Sequence, residues 1–240
     1  MTYNEWQAPM KWLHRDNFVN DLEQIARRGP LNLAFIGAPG SGKTTLAYYV
    51  SALLVTSRLG VSYGEAQELI LRNHPTTFHE LLSMFYSAIN CGERRPILFL
   101  DDAIPSYFSL YKSSMGQAFW SNLTRYHRSL SDLIVITLQK PLTGIRPEHS
   151  LMVRKHVSNG RVVTRACERG TYIDKGGNIK HRERCIIFPW RADYTLPPRV
   201  EEAVEEAKKN VAAMLLPPRE LDRLIRRAMR EPCRHEGGEA

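Results

Sequence analysis

Long hydrophobic runs are missing from this chain. No stretch of eighteen apolar residues occurs in its 240 residues, which excludes a membrane-spanning helix of ordinary length. The opening segment MTYNEWQAPMKW has no apolar core of the kind that makes a secretory signal. A soluble, cytoplasmic protein with no membrane partner is therefore expected. Cysteine is also scarce: Cys91, Cys167, Cys185 and Cys233 form no CxxC pair and show no ligand spacing with histidine. That argues against a zinc module or a disulfide scaffold, and reduced, structural cysteines are expected. Acidic residues fall short of basic ones, 25 against 33, giving a net charge of +8. A polyanionic partner fits that balance, although many basic proteins bind none. The length suits one sizeable α/β domain with appendages, large enough to bury a core without staples.

What is present begins with FIGAPGSGKTTLAYYV at Phe35. Leu31 to Ile36 is a short apolar run without helical period, as a buried parallel strand should be, and LAYYVSALLV after the loop is helix-forming. Between them Gly37, Gly42, Lys43 and Thr44 match G-x-x-x-x-G-K-[ST] in the strand-to-helix context that this pattern requires. Glycines let the backbone curl so that successive amides point at phosphate oxygens, helped by the helix N-terminus. Gly37, Ala38, Pro39, Gly40, Ser41, Gly42, Lys43, Thr44 and Thr45 are thus the expected phosphate cradle. Lys43 is expected to reach the β/γ-phosphates, and the Thr44 hydroxyl to ligate Mg²⁺.

A second apolar run, Ile97 to Leu100, ends in Asp101 and Asp102. Acids at the carboxyl end of such a strand stand at the crevice where α/β sheets bind ligands. Asp101 fits the role of holding Mg²⁺, and Asp102 that of orienting or deprotonating a water. A third run, DLIVITL from Asp132 to Leu138, brings two polar candidates, Thr137 and Gln139, to its tip. Upstream, His14 to Arg28 reads as a helix stopped by Gly29-Pro30. Thr77 to Asn90 reads as another, with a threonine N-cap at 76 or 77 and Gly92 as its stop. ELILRNH, residues 68–74, is compatible with a helix end or an edge strand.

The order strand, P-loop, helix, acidic strand, helix, polar-tipped strand resembles the AAA+ class of P-loop NTPases, in which an extra strand separates the P-loop strand from the acidic one. The match covers roughly residues 30–160. FLDDA, preceded by SAINCGERRPIL, is similar to the Asp-Asp of the DnaA and DnaC/IstB group of replication initiators and helicase loaders, and to DnaA-like ATPases of archaeal plasmids and viruses. The resemblance implies a three-layer P-loop NTPase core with a parallel sheet, ATP and Mg²⁺ as cofactors, and ATP hydrolysis. It also implies a homo-oligomer in which a neighbour's arginine completes the site, and a protein partner such as a helicase. GIRPEHSLMVRKHVSNG offers Arg146 and Arg154 for that arginine. Arg154, read as near the end of a helix, matches the family position better. A helical lid of the usual length is missing, so no sensor-2 arginine is assigned, and no NKxD signature marks a guanine site.

From Arg161 the composition changes. RVVTRACERGTYIDKGGNIKHRERCIIFPW places β-formers on both sides of Asp174-Lys175-Gly176-Gly177-Asn178, the pattern of a hairpin. Lys175, Lys180, Arg182 and Arg184, with His181, are its candidate DNA contacts; an edge hairpin that uses charge against aggregation is the competing reading. Two helices follow. In the second, Leu221, Leu224, Ile225 and Ala228 form one stripe and Arg223, Arg226, Arg227 and Arg230 another. The expected organisation is an N-terminal helical segment (1–29), the ATPase core (30–160), the hairpin region (161–196), C-terminal helices (197–230) and a disordered tail (231–240). A replication role on DNA for a mobile element leads. A small-molecule kinase and a nucleotide-gated protein switch stay open as alternatives.

Overall fold

Six strands form one sheet in the order β2-β3-β1-β4-β5-β6, in a computed structural model that describes residues 7–101, 118–119, 122–123, 127–141, 147–189, 195–213 and 217–230. The strands are β1 (Leu31–Ile36), β2 (Leu98–Leu100), β3 (Leu133–Leu138), β4 (His149–Ser158), β5 (Arg161–Ile173) and β6 (Ile179–Pro189). Pairings from β2 to β4 are parallel and the last two are antiparallel. Every residue of β1, β2 and β3 is buried, as strands covered on both faces require.

Alternation along those strands feeds two apolar clusters, one per face. Leu31, Leu33 and Phe35 join Phe99, Val135 and Val153 on one side. There they meet α1 (Gln7–Leu13), α2 (Asn17–Arg28), α3 (Lys43–Leu59), α4 (Tyr63–Arg72) and α7 (Pro198–Ala213). Ala34, Ile36, Leu100 and Ile136 face the other cluster, with α5 (Phe78–Cys91), α6 (His127–Leu130) and α8 (Pro218–Ala228). The apolar stripe of α8 docks there, with Leu221, Ile225 and Ala228 buried and Leu224 packed beside them. Arg223, Arg226, Arg227 and Arg230 are exposed.

Local chemistry sets the helix ends. Asp16 accepts hydrogen bonds from the amides of Phe18 and Val19, which starts α2 at Asn17, three residues after the expected start at His14, and α1 is a separate helix ahead of it. Ser62 with Glu65 and Thr77 with Glu80 form reciprocal capping boxes at the starts of α4 and α5. The α4 box makes ELILRNH a helix end and not an edge strand. Gly92 ends α5 at φ 69°, a left-handed cap.

Two expectations need correction. Arg154 lies not near a helix end but in β4, where buried Leu151 and Val153 alternate with exposed Met152 and Arg154. Asn159 (φ 51°) and Gly160 (φ 71°) return the chain into β5 through a two-residue turn that needs positive φ at both positions. Cys91, Cys167 and Cys185 are not reduced: Cys91 is disulfide-bonded, and Cys167 and Cys185 are cross-strand partners joined by a disulfide.

The hairpin at Asp174–Asn178 forms as expected. Asp174 Oδ1 accepts from the amides of Gly176 and Asn178, and Gly177 takes φ 80°. Its outer part is exposed, but its base continues the core sheet. Phe188 of β6 is fully buried, with its ring 5.7 Å from Trp12 and 5.9 Å from Tyr49. Phe188→Ala should therefore cost about 3–5 kcal/mol of global stability. Denaturant unfolding followed by fluorescence and by circular dichroism should show one transition shifted as a unit; a separate early transition of a minor part would mean that β5 and β6 are an appendage.

Candidate functional site

The turn between β1 and α3 is shaped by three glycines. A Cβ on Gly37 would fall 2.4 Å from the Val153 carbonyl oxygen and 2.7 Å from Ser41 Oγ, so β4 passes too close for any side chain. Gly40 and Gly42 sit at φ 73° and 84°, where L side chains are strained. The Gly37 amide donates to the Leu138 carbonyl, and the Thr164 hydroxyl of β5 reaches the Ser41 carbonyl at 3.4 Å. The loop is held from β3 and from the β4–β5 hairpin together. Ala38, Pro39 and Gly40 are exposed at its crest, while Ser41, Lys43 and Thr45 are buried.

Asp101 leaves the end of β2 with 1% of its surface exposed. Its Oδ1 accepts from Thr44 Oγ1 at 2.9 Å and from Thr137 Oγ1 at 2.6 Å. Its Oδ2 is buried with no hydrogen-bond partner. A buried carboxylate with one oxygen unmatched is costly without a cation. The donor set, a carboxylate and a hydroxyl, is the hard-oxygen kind that a small divalent cation takes.

These groups open on a cavity of about 370 Å³. Pro39, Gly40, Gly42, Lys43, Thr44 and Thr45 line it from the loop, Asp101 and Gln139 from the strand ends, and Lys155 from β4. Leu196 and the α7 residues Glu201, Val204, Glu205 and Lys208 close its far side, with Lys208 paired to Glu205 at 2.6 Å. A helix N-terminus and three lysines are groups suited to an anion, and Asp101, Glu201 and Glu205 bring three carboxylates to the same cavity.

Several expected site residues meet here. The two candidates at the tip of β3 divide: Thr137 is buried against Asp101, whereas exposed Gln139 faces the cavity. Asp102 and Arg146 lie outside the described residues. Arg154 is exposed on β4 and directly opposite Arg165, on the face away from its neighbour Lys155. The hairpin cations are not gathered in one patch. Lys180 bonds Asp174 at 3.0 Å, and Arg184 bonds Asp21 at 3.0 Å while its guanidinium stacks 4.9 Å above Phe18. Arg182 and Lys175 are exposed.

Lys155, Leu196 and the α7 residues had no signal in the spacing that led to the P-loop. Lys155 was hidden by the helical reading of its segment, and α7 reaches the cavity only by tertiary packing. No protein-family model matches the chain. No curated protein matches it either.

His74 adds a buried titratable group. It is 4% exposed, its Nε2 has no partner, and its ring meets Phe99 edge-on at 5.4 Å. Burial holds its pKa below the ordinary imidazole value, against the opposing pull of Asp101 and Glu80. The folded state therefore favours neutral His74. The stability it contributes is present above the unfolded pKa of about 6.5 and is lost as pH falls toward the lower folded value. The unfolding midpoint should drop as pH falls below about 6.5, and His74→Asn should flatten that drop in a pH series of thermal melts. An unchanged slope in the variant would remove His74 as its source.

Proposed function

We propose that this protein binds and hydrolyses ATP with Mg²⁺ at the β1–α3 loop and couples that cycle to work on DNA, as an AAA+-type ATPase in replication of a mobile element. The observation that carries the reading is the strand order. β3 intervenes between the P-loop strand β1 and the acidic strand β2, and Asp101 at the end of β2 bonds both Thr44 and Thr137. That order supports the AAA+-type reading over a small-molecule kinase.

Under this reading the amides of Gly40 to Thr45 and the Lys43 ammonium hold the triphosphate, and Thr44 and Asp101 are the residues that would hold Mg²⁺. The metal would supply neutralisation of charge on the phosphate oxygens. Asp102 orients or deprotonates the attacking water, and Gln139 contacts the phosphate end from the cavity wall. Arg154 of one subunit meets the nucleotide of the next, as its exposure on β4 allows. The chain's excess of basic over acidic residues, much of it on the hairpin and on α8, supports DNA as the load. A helicase-like protein partner follows from the family resemblance alone.

Lys43→Ala should weaken binding of a fluorescent ATP analogue about 10- to 100-fold, as expected for a lost charge-assisted contact. Asp102→Asn should bind as the parent does and lose turnover by about 100-fold or more. Tight ATP binding by a folded Lys43→Ala protein would sink the nucleotide assignment, and parent-level phosphate release by Asp102→Asn would remove Asp102 from catalysis.

Mixing tests the oligomer. Arg154→Ala and Lys43→Ala subunits, each inactive alone, should regain part of the parent's phosphate release when combined, because an interface can pair one intact loop with one intact arginine. Recovery should rise with protein concentration. Full activity of Arg154→Ala by itself would end Arg154's role.

A further inference from the structure

On the side of the sheet where α5, α6 and α8 cover β1 to β3, the strands β4, β5 and β6 leave an open face. Strand alternation and the continuous register place Met152 and Arg154 of β4, alternate residues of β5 from Arg161 to Arg169, and Glu183 and Ile187 of β6 on it together. Met152 is 40% and Ile187 47% exposed. Arg154, Arg161, Arg165 and Arg169 are all exposed, and among the described residues of this face the one carboxylate is Glu183, 3.3 Å from Arg165. The Cys167–Cys185 disulfide ties β5 to β6 in its middle.

Charge placed to keep a surface soluble alternates in sign. Here the signs do not alternate, and Arg154 stands directly across from Arg165, a like-charge cross-strand pair that costs stability in isolation. Glu183 on β6 offsets part of that charge through Arg165, and the four arginines still outnumber it four to one. Arg161, Arg165 and Arg169 recur every fourth residue on one strand, about 13 Å apart, a row suited to an extended polyanion.

Guanidinium groups match phosphate in planar, bidentate fashion. The apolar side chains between them meet sugars and bases, which a duplex would keep turned inward. We infer that the β5–β6 part of this face, with Arg161, Arg165 and Arg169 and apart from Arg154 on β4, binds the phosphodiester backbone of single-stranded nucleic acid, a surface distinct from the hairpin tip. This rests on the reading of the protein as one that works on DNA, and names where the strand lies. Among the described residues this face carries no Phe, Tyr or Trp, only the imidazoles of His156 and His181 at its edges, so phosphate contacts supply most of the affinity. Binding is then indifferent to sequence and strongly salt-dependent.

The test uses the full chain and a fluorescein-labelled oligothymidylate of about thirty nucleotides, long enough for one such site, read by anisotropy over a salt series. Losing two phosphate contacts in Arg161→Ala/Arg169→Ala should lower the log–log salt slope by about 1.4 and weaken binding about 10-fold or more at low salt. Arg161→Lys/Arg169→Lys should keep most of the slope, and Lys175→Ala/Arg182→Ala, at the hairpin tip and on β6, should bind nearly as the parent does. The duplex form should bind less tightly than the single strand.

Parent-like binding by Arg161→Ala/Arg169→Ala overturns the inference, as does loss confined to Lys175→Ala/Arg182→Ala, which would leave DNA binding standing at the tip. If Arg161→Ala/Arg169→Ala instead dissolves an oligomer seen by sedimentation without nucleic acid, the face is a contact between copies and the inference falls. Binding of the fluorescent ATP analogue by the same variants is expected at the parent's level, and it checks their fold. A parent that binds the analogue but no nucleic acid overturns this surface and the DNA part of the proposed function while leaving the nucleotide site intact.

Discussion

The Asp101 carboxylate is the constraint around which the site is built. It is buried at the end of β2, yet it accepts hydroxyls from two other elements, Thr44 at the start of α3 and Thr137 in β3. Burying an ionised carboxylate is tolerable only where hydrogen bonds and a counter-charge surround it. β2, β3 and the first turn of α3 are therefore held in one relation to each other. The same geometry leaves Oδ2 without a partner beside a lysine-bearing loop, so the group that organises the crevice also keeps an unmet demand for a cation.

The second constraint comes from the far edge of the sheet. Gly37 lies against the Val153 carbonyl, and Thr164 reaches the Ser41 carbonyl. The β1–α3 loop is thus shaped as much by β4 and β5 as by its own glycines. Phe188 on β6 locks that edge strand to α1 and α3. A chain segment with the composition of a peripheral basic hairpin consequently splits its work. One face of its base completes the hydrophobic core, and the other presents arginines to solvent. Arg184 illustrates the division, since its pairing with Asp21 and stacking on Phe18 make it a strut between β6 and α2 and not a free cation.

Local rules were enough for much of this protein. The loop from Gly37 to Thr45, the three apolar strands, the caps at Thr77 and Gly92 and the tight turn at Asp174–Asn178 are set by near-neighbour chemistry: glycine's φ, β-forming runs and side chains that bond amides two to four residues away. Such features are legible because the partners lie close in the chain. The β4 segment carries local strand signals too, since Asn159-Gly160 is a strong two-residue hairpin turn and Leu151 and Val153 alternate with Met152 and Arg154, but Arg154 is read as near the end of a helix in matching the family position.

Tertiary structure alone decided the rest, because the partners concerned are distant in sequence and meet only through packing. Spacing cannot say that Thr137 would bond Asp101 while Gln139 faced the cavity, nor that Lys155 and α7 would line it. Nor could the spacing of Cys167 and Cys185 signal a bridge before β5 and β6 were set in register. The distribution of arginines between core struts and an open face follows from strand alternation across three strands at once. Composition fixes how much positive charge the chain carries; only the register fixes which of it faces the same way.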